Sequence, residues 1–248
     1  MKEIFLIITI FLNSLLLAQR YEAGLFIGGA NAIADVGNEA YLAPKTIAIG
    51  GFLKRNLNER YSIRLSGTFS RLRMEDKDSK SKYRTDRKLT RGNHIGEGAL
   101  IFEFNFFDFN GEHQNAQTPY LFIGIGGFSY KKNGFEIAPN GSGGFTRTKR
   151  VTYNFSPTIP FGLGYRYKFN YHWVIGAEAG FRATFTDNLD KGDPSTVFDS
   201  RLTDRQIQAI KDRYPEVRKI GNLNSNDWYV FTGITFSYTF GRKPCYCK

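Results

Sequence analysis

Cysteine is nearly missing. The 248-residue chain holds two, Cys245 and Cys247, both within its last few residues, so no disulfide braces the body. Histidine is almost as scarce: His94, His113 and His172 are the only three. Beyond the first twenty residues there is no apolar run approaching the roughly 20 residues that a membrane-spanning helix needs, and mean hydropathy is −0.37. Acidic charge is also in deficit, with 23 Asp and Glu against 34 Lys and Arg and a net charge of +11. Aromatics, by contrast, make up 16% of the chain and glycine 26 residues. Much glycine, many aromatic rings and low average hydropathy suit a β-barrel in a membrane, where only every second residue meets lipid.

The chain starts MKEIFLIITIFLNSLLLAQ. A short charged start, Lys2 with Glu3, precedes two apolar runs that lead to Ala18, the layout of a secretory signal peptide over residues 1–18. Asn13 and Ser14 interrupt the apolar stretch and argue against a membrane helix. An exported chain with a basic excess is suited to anionic lipid headgroups or an acidic partner and not to nucleic acid.

The body, residues 19–240, repeats a period of two. In ERYSIRLSGTFSR, Tyr61, Ile63, Leu65, Gly67 and Phe69 take one face and Arg60, Ser62, Arg64, Ser66, Thr68 and Ser70 the other. Such alternation marks a strand between two media. Similar patterns at 21–29, 46–54, 95–107, 119–130, 158–169, 172–185 and 227–240 give about eight strands. Ten residues at about 3.4 Å, tilted by roughly 40°, stand about 26 Å tall, the height of an outer-membrane apolar band. The expected fold is therefore all-β: a transmembrane antiparallel barrel of about eight strands. An even count puts both ends on the periplasmic side. Turns near 56–59, 108–118 and 170–171 then face the periplasm, and longer connections at 31–45, 73–93, 131–151 and 186–226 face outward.

Alternation sends Arg64, Glu97, Glu103, Arg166, Lys168, Glu178 and Arg182 inward. An unpaired buried charge is costly, so these residues are expected to form a lumen network that plugs a bore too narrow for a wide channel. His94 sits at the outer end of its strand, where a lipid hydrolase could work, yet no nucleophile motif accompanies it, and the reading is non-enzymatic with no cofactor. Asp187, Asp190 and Asp193 in TDNLDKGDPS could hold Ca²⁺, but Gly192 and Pro194 point to plain turn chemistry. In TDRQIQAIKDRYP, Thr203 and Gln206 have capping-box spacing, Ile207, Ile210 and Tyr214 share a face, and Pro215 ends a short helix in the last outer loop. The mixed-charge loop MEDKDSKSKYRTDRKLTRGN is solvated, and its cations can touch lipopolysaccharide.

The last strand ends GITFSYTF, like a signal read by barrel-assembly machinery, and residues 241–248 follow as a separate tail. Cys245 and Cys247 would close a small, strained ring if bridged, and Arg242, Lys243 and Lys248 favour thiolate. Covalent attachment to a periplasmic protein, a redox pair and idle thiols all remain open.

The stretches GLFIGGANAIADVGNEAYLAP, DKDS, FEFNFFDFN, TPYLF, EAGFRATFTDNLD and GNLNSNDWYVFTGITFSYTFGRKPCYC together resemble the PorG family, outer-membrane proteins of the type IX secretion system of Bacteroidetes. The segment at about 195–219 matches less well. The resemblance implies a barrel that anchors the periplasmic ring of the lipoprotein PorK and its partner PorN, in protein secretion and gliding. It also implies that Cys245 and Cys247 correspond to the family's C-terminal pair. On that basis the tail, with Arg242 and Lys243 and helped by the turn at 108–118, is expected to tether the barrel to the ring, through a disulfide in the covalent version. The competing readings are a generic small barrel serving envelope stability or adhesion, and a lipid-modifying enzyme.

Overall fold

A computed structural model describes residues 21–110, 115–140, 144–190, 195–214 and 226–241. Eight antiparallel strands form a closed ring: β1 (Tyr21–Ile33), β2 (Thr46–Asn56), β3 (Tyr61–Glu75), β4 (Thr90–Asn105), β5 (Gln117–Pro139), β6 (Phe145–Lys168), β7 (Trp173–Thr184) and β9 (Trp228–Phe240). Closure needs two seams. β1 pairs with β9 from Tyr21↔Phe240 to Ile33↔Trp228, and β4 pairs with β5 from Gly96↔Ser129 to Asn105↔Tyr120. A closed ring leaves no open sheet edge within its span. A ninth strand, β8 (Ser195–Phe198), joins the outer part of β5 in parallel.

The alternation read from the sequence decides which side of the wall each residue takes. Leu25, Ile27, Ile47, Ile49, Leu53, Leu65, Leu121, Ile123, Ile125, Leu163 and Ile234 are all exposed on the outer surface, whereas Lys54, Arg64, Glu97, Glu103 and Arg166 are buried inside. A soluble protein does not clothe itself in aliphatic side chains and fill its centre with charge; a barrel in lipid does both. Aromatic rings collect at two levels. Tyr61, Tyr165, Trp173, Phe236 and Tyr238 lie toward the short turns, and Phe69, Phe155, Phe185 and Trp228 toward the long loops. Between Tyr165 and Phe155 on β6 the wall rises about 26 Å, allowing for tilt, which matches an apolar band of about 25 Å. Among the described residues no helix is long and apolar enough to cross a membrane.

Two elements depart from the sequence expectation. The segment 131–151, expected as a loop, is the outer part of a hairpin in which β5 and β6 run to 23 and 24 residues. On β6 the side chains of residues 146–153 are exposed on both faces, so the apolar alternation that reveals a lipid-facing strand is lost there, while on β5 Phe135 and Ile137 are buried beneath the last loop; pairing continues unbroken to Pro139↔Phe145. The last loop supplies, beside the expected helix α2 (Asp204–Arg213), the unexpected strand β8. That helix begins with the expected capping box between Thr203 and Gln206. Its Ile207 and Ile210 pack with Leu202, Phe198 and Tyr214 over Phe135, Ile137 and Phe145 of the hairpin. A short helix α1 (Lys82–Arg87) and a 3₁₀ turn (Asp76–Asp78) lie in the charged second loop.

Candidate functional site

The lumen is layered. At the short-turn end Phe109 plugs it, 1% exposed, held by its N–H donating to the Glu59 carbonyl at 3.0 Å. Lys168 stands over the Phe109 ring, 4.7 Å from its centroid, and its Nζ donates to the Phe109 carbonyl at 2.7 Å.

Above the plug lies the charge network, centred on Glu103. Arg166 Nη2 donates to its carboxylate at 2.7 Å, Arg64 Nε faces it at 3.1 Å outside hydrogen-bond alignment, and Lys54 Nζ stands at 3.4 Å. Lys54 also pairs with Glu22 at 2.8 Å, and Ser237 donates to Glu22 at 2.6 Å. Arg64 reaches Glu178 at 2.8 Å, and Glu178 accepts a second bond from the Tyr120 hydroxyl at 2.8 Å. Rings sandwich the guanidinium groups: Arg64 lies 5.5 and 5.2 Å from Phe52 and Phe122, and Arg166 lies 3.6 Å from Tyr120. The approach of Tyr120 depends on Gly164, where a Cβ would stand 2.5 Å from the ring.

Higher still, Arg182 pairs with Glu97 at 3.2 Å and stacks 4.4 Å from Phe231, while the Tyr229 hydroxyl donates to Glu97. An apolar storey of Phe26, Leu72, Met74, Ile95, Phe128 and Phe231 completes the fill, closed by Val36 and Leu189 from the long loops.

All seven inward charges read from the sequence are buried in this interior. The structure adds Glu22 and Lys54, cross-strand partners on β1 and β2. Their signal was present in the alternation, since Glu22 shares a face with Gly24 and Phe26, and Lys54 with Phe52. With them the interior holds five cations (Lys54, Arg64, Arg166, Lys168, Arg182) and four carboxylates (Glu22, Glu97, Glu103, Glu178), all in described strands. A hydrogen-bonded set with one cation in excess, Lys168 bonded to a backbone carbonyl, can hold eight strands together inside a closed wall.

Two acidic groups organise the long-loop end. Asp76, fully buried, accepts from the Gly37 and Leu89 N–H groups at 3.0 Å and from both Arg87 nitrogens at 2.8 and 3.0 Å. Burial pushes its carboxyl upward, but the bonds from Arg87, Gly37 and Leu89 outweigh that and hold it below the usual carboxylate range. One side chain thus fastens the first loop to the second. Asp227, in the connection before β9, is the opposite case. Burial, with the neighbouring Asp190 and Asp187 charges, raises its carboxyl to about 8 against a single N–H bond from Leu189 at 2.9 Å.

Of the remaining sequence candidates, Asp187 and Asp190 lie near Asp227, while Asp193 is outside the described residues. Among the described residues no group of three His, Cys, Asp or Glu is arranged to hold a metal ion. His94 stands exposed on β4 opposite Arg71. His172, in the β6–β7 turn, bonds the Thr239 carbonyl at 2.9 Å and stacks on Tyr238. His113, Arg242, Lys243, Cys245 and Cys247 lie outside the described residues.

A closed ring of eight tilted strands, greasy outside and ion-paired inside, defines a small membrane-spanning β-barrel of the outer-membrane type. The chain belongs to the family described as Domain of unknown function (DUF6089), whose model matches residues 1–248. Comparison with curated proteins gives no match. Among solved structures, Ail, the attachment invasion locus protein of Yersinia pestis crystallised with the heparin analogue sucrose octasulfate, is similar at 10% identity and a TM-score of 0.43, over 90% of this chain and 100% of that one. The N-terminal β-barrel domain of Pseudomonas aeruginosa OprF is similar at 10% identity and a TM-score of 0.39, over 90% of this chain and 98% of that one.

Proposed function

We propose that this barrel is a non-enzymatic outer-membrane component of the type IX protein secretion and gliding machinery, with both termini in the periplasm, and that it anchors the PorK–PorN ring to the membrane. One observation carries the anchoring role. Among the described residues the interior is filled from Phe109 to Leu189 by packed and bonded side chains, so the body reads as a solid post. A post of this kind acts through what is attached to its ends. β9 finishes at Phe240 beside Tyr21 at the short-turn end, and Gly241, with φ of 85°, turns the chain out of the strand. With the short-turn end in the periplasm, as this reading has it, the cysteine-bearing tail would leave the barrel on the side of a periplasmic partner. The resemblance to the PorG family supports the identity of that partner.

The test is removal of residues 241–248 and, separately, Cys245→Ser and Cys247→Ser. An anchor loses secretion or gliding while the barrel still folds and shifts on unheated gels. The covalent version predicts a high-mass adduct on non-reducing gels that either serine variant abolishes. Full secretion by the truncated barrel refutes the anchor and leaves a stability or adhesion barrel acting through its projecting hairpin.

A further inference from the structure

Strand register assembles a cationic shelf on the outer wall, just above the aromatic level that faces the long loops. Arg71 on β3 is paired with His94 on β4, and both are exposed on the lipid-turned face. On the next strand, β5 leaves the ring after Ser129, its last partner on β4 being Gly96. The Asn93 side chain covers the parting: its Nδ2 donates to the Lys131 carbonyl at 3.0 Å and its Oδ1 accepts from the Lys131 N–H at 2.9 Å. Lys131 is thereby fixed beside His94. Its Nζ lies 5.2 Å from the centroid of Tyr153, its cross-strand partner on β6, which is 70% exposed.

One step toward the membrane the same four strands present Phe69, Gly96, Ser129 and Phe155. The outer two are rings, 66% and 74% exposed. A further step down, Gly98 has nothing within 4 Å of where a Cβ would project. The Phe69 ring leans over Gly96 and the Phe155 ring over Gly127, so the bare stretch between them is at Gly98, and above it stand the cations. An amphiphile with a phosphorylated head and acyl tails has this distribution, charge above and hydrocarbon below. The shelf sits at the boundary where headgroup phosphates lie, and basic groups there attract anionic lipid.

We infer that Arg71, Lys131 and His94, with Tyr153 and the flanking Phe69 and Phe155, form a binding site for a membrane lipid with a net anionic phosphate headgroup, head on the shelf and tail along the bare wall at Gly98. The site is independent of the secretion reading and does not require the tail. Arg71 and Lys131 supply the charge, and Tyr153 holds the Lys131 ammonium toward the membrane boundary.

The experiment uses the full barrel reconstituted in phosphatidylcholine vesicles carrying a trace of spin-labelled phosphatidic acid or spin-labelled phosphatidylcholine. The readout is the motionally restricted fraction of each label. Wild type should retain phosphatidic acid in preference to phosphatidylcholine. Arg71→Gln with Lys131→Gln should lose up to about thirtyfold of that preference, at about 1 kcal/mol per basic residue, whereas the charge-matched pair Lys80→Gln with Lys82→Gln, exposed in the second loop, should not. The conservative pair Arg71→Lys with Lys131→Arg keeps the preference if the shelf works by charge, and covers the case in which the glutamine pair does not fold. Equal preference in wild type and the glutamine pair overturns the site. So does equal loss in the loop pair, which would assign the effect to net charge. Displacement of the label by glycerol phosphate would assign the shelf to soluble phosphate compounds and equally overturn it.

Discussion

Glu103→Gln tests the idea that lumen charges hold the barrel by mutual balance. In the wild type Glu103 faces three cations. Removing its charge does not strand them equally. Lys54 keeps Glu22 at 2.8 Å and Arg64 keeps Glu178 at 2.8 Å, but for Arg166 the carboxylate at 2.7 Å was Glu103 itself. Leaving one charge of a buried pair without its partner costs about 3–5 kcal/mol, and Arg166 is only 3% exposed. The variant should therefore lose about that much stability. Adding Arg166→Met should restore most of it, because the remaining pairs are self-sufficient and the methionine can fill the space against Tyr120. Adding Lys54→Met should help much less, since it strands Glu22. Urea titration in lipid vesicles reads all three, followed by the fluorescence of the two tryptophans, Trp173 and Trp228. A Glu103→Gln barrel within about 0.5 kcal/mol of wild type, a margin typical of sites with no such pairing, would refute the argument. So would rescue by Lys54→Met as complete as rescue by Arg166→Met.

Other expectations follow from the same geometry. Gly164→Ala should destabilise by about 1–3 kcal/mol through overpacking against Tyr120, while Gly98→Ala, into open space, should be neutral or stabilise by about 0.5 kcal/mol; thermal shifts on unheated gels compare the two. Because the folded Asp227 carboxyl is raised to about 8, the folded chain holds a proton that the unfolded chain releases near its ordinary 3.8. Stability should therefore fall as pH rises through that window, by at most about 1.4 kcal/mol per pH unit, and level off above it. Asp227→Asn should flatten the slope. Asp76→Asn should leave the barrel's melting unchanged but expose residues 34–45 and 80–89 to protease about tenfold faster, and a rate equal to wild type would remove Asp76 as the loop fastener. Planar bilayers containing the wild type should show no steady conductance, and open-channel currents would contradict the filled lumen.

Much of the barrel was legible because lipid and lumen impose opposite chemistries on neighbouring residues. In ERYSIRLSGTFSR every second residue reports its medium, and the structure sends Arg64 in and Leu65 out as that rule requires. The same rule failed on the outer hairpin. Thr146–Tyr153 has water on both faces, so strand formation there rests on pairing with β5, which leaves no trace in hydropathy. The charge network was legible as a set but not as partners: whether Arg64 meets Glu178 on β7 or Glu97 on β4 depends on tilt and stagger around the ring, which one strand's sequence does not contain. Glu22 was overlooked because it stands near a strand end, where alternation has few neighbours to establish it. The Asp76 hub was hidden for a different reason. Two of its four bonds come from the Gly37 and Leu89 backbone, and backbone N–H groups are not written in side-chain identity.

The seam between the first and last strands has a consequence for biogenesis. Tyr21 stacks on Phe240, and the pairing behind them extends from one rim to the other, so the cylinder cannot zip shut until the final thirteen-residue strand has been delivered. Until that moment two unmatched borders remain, together with incomplete hydrogen-bond sets such as that of Glu22, which awaits the Ser237 hydroxyl. Commitment to the bilayer is thereby postponed until β9 is made, and a chain that stops within that strand should leave a gaping cylinder fit for degradation.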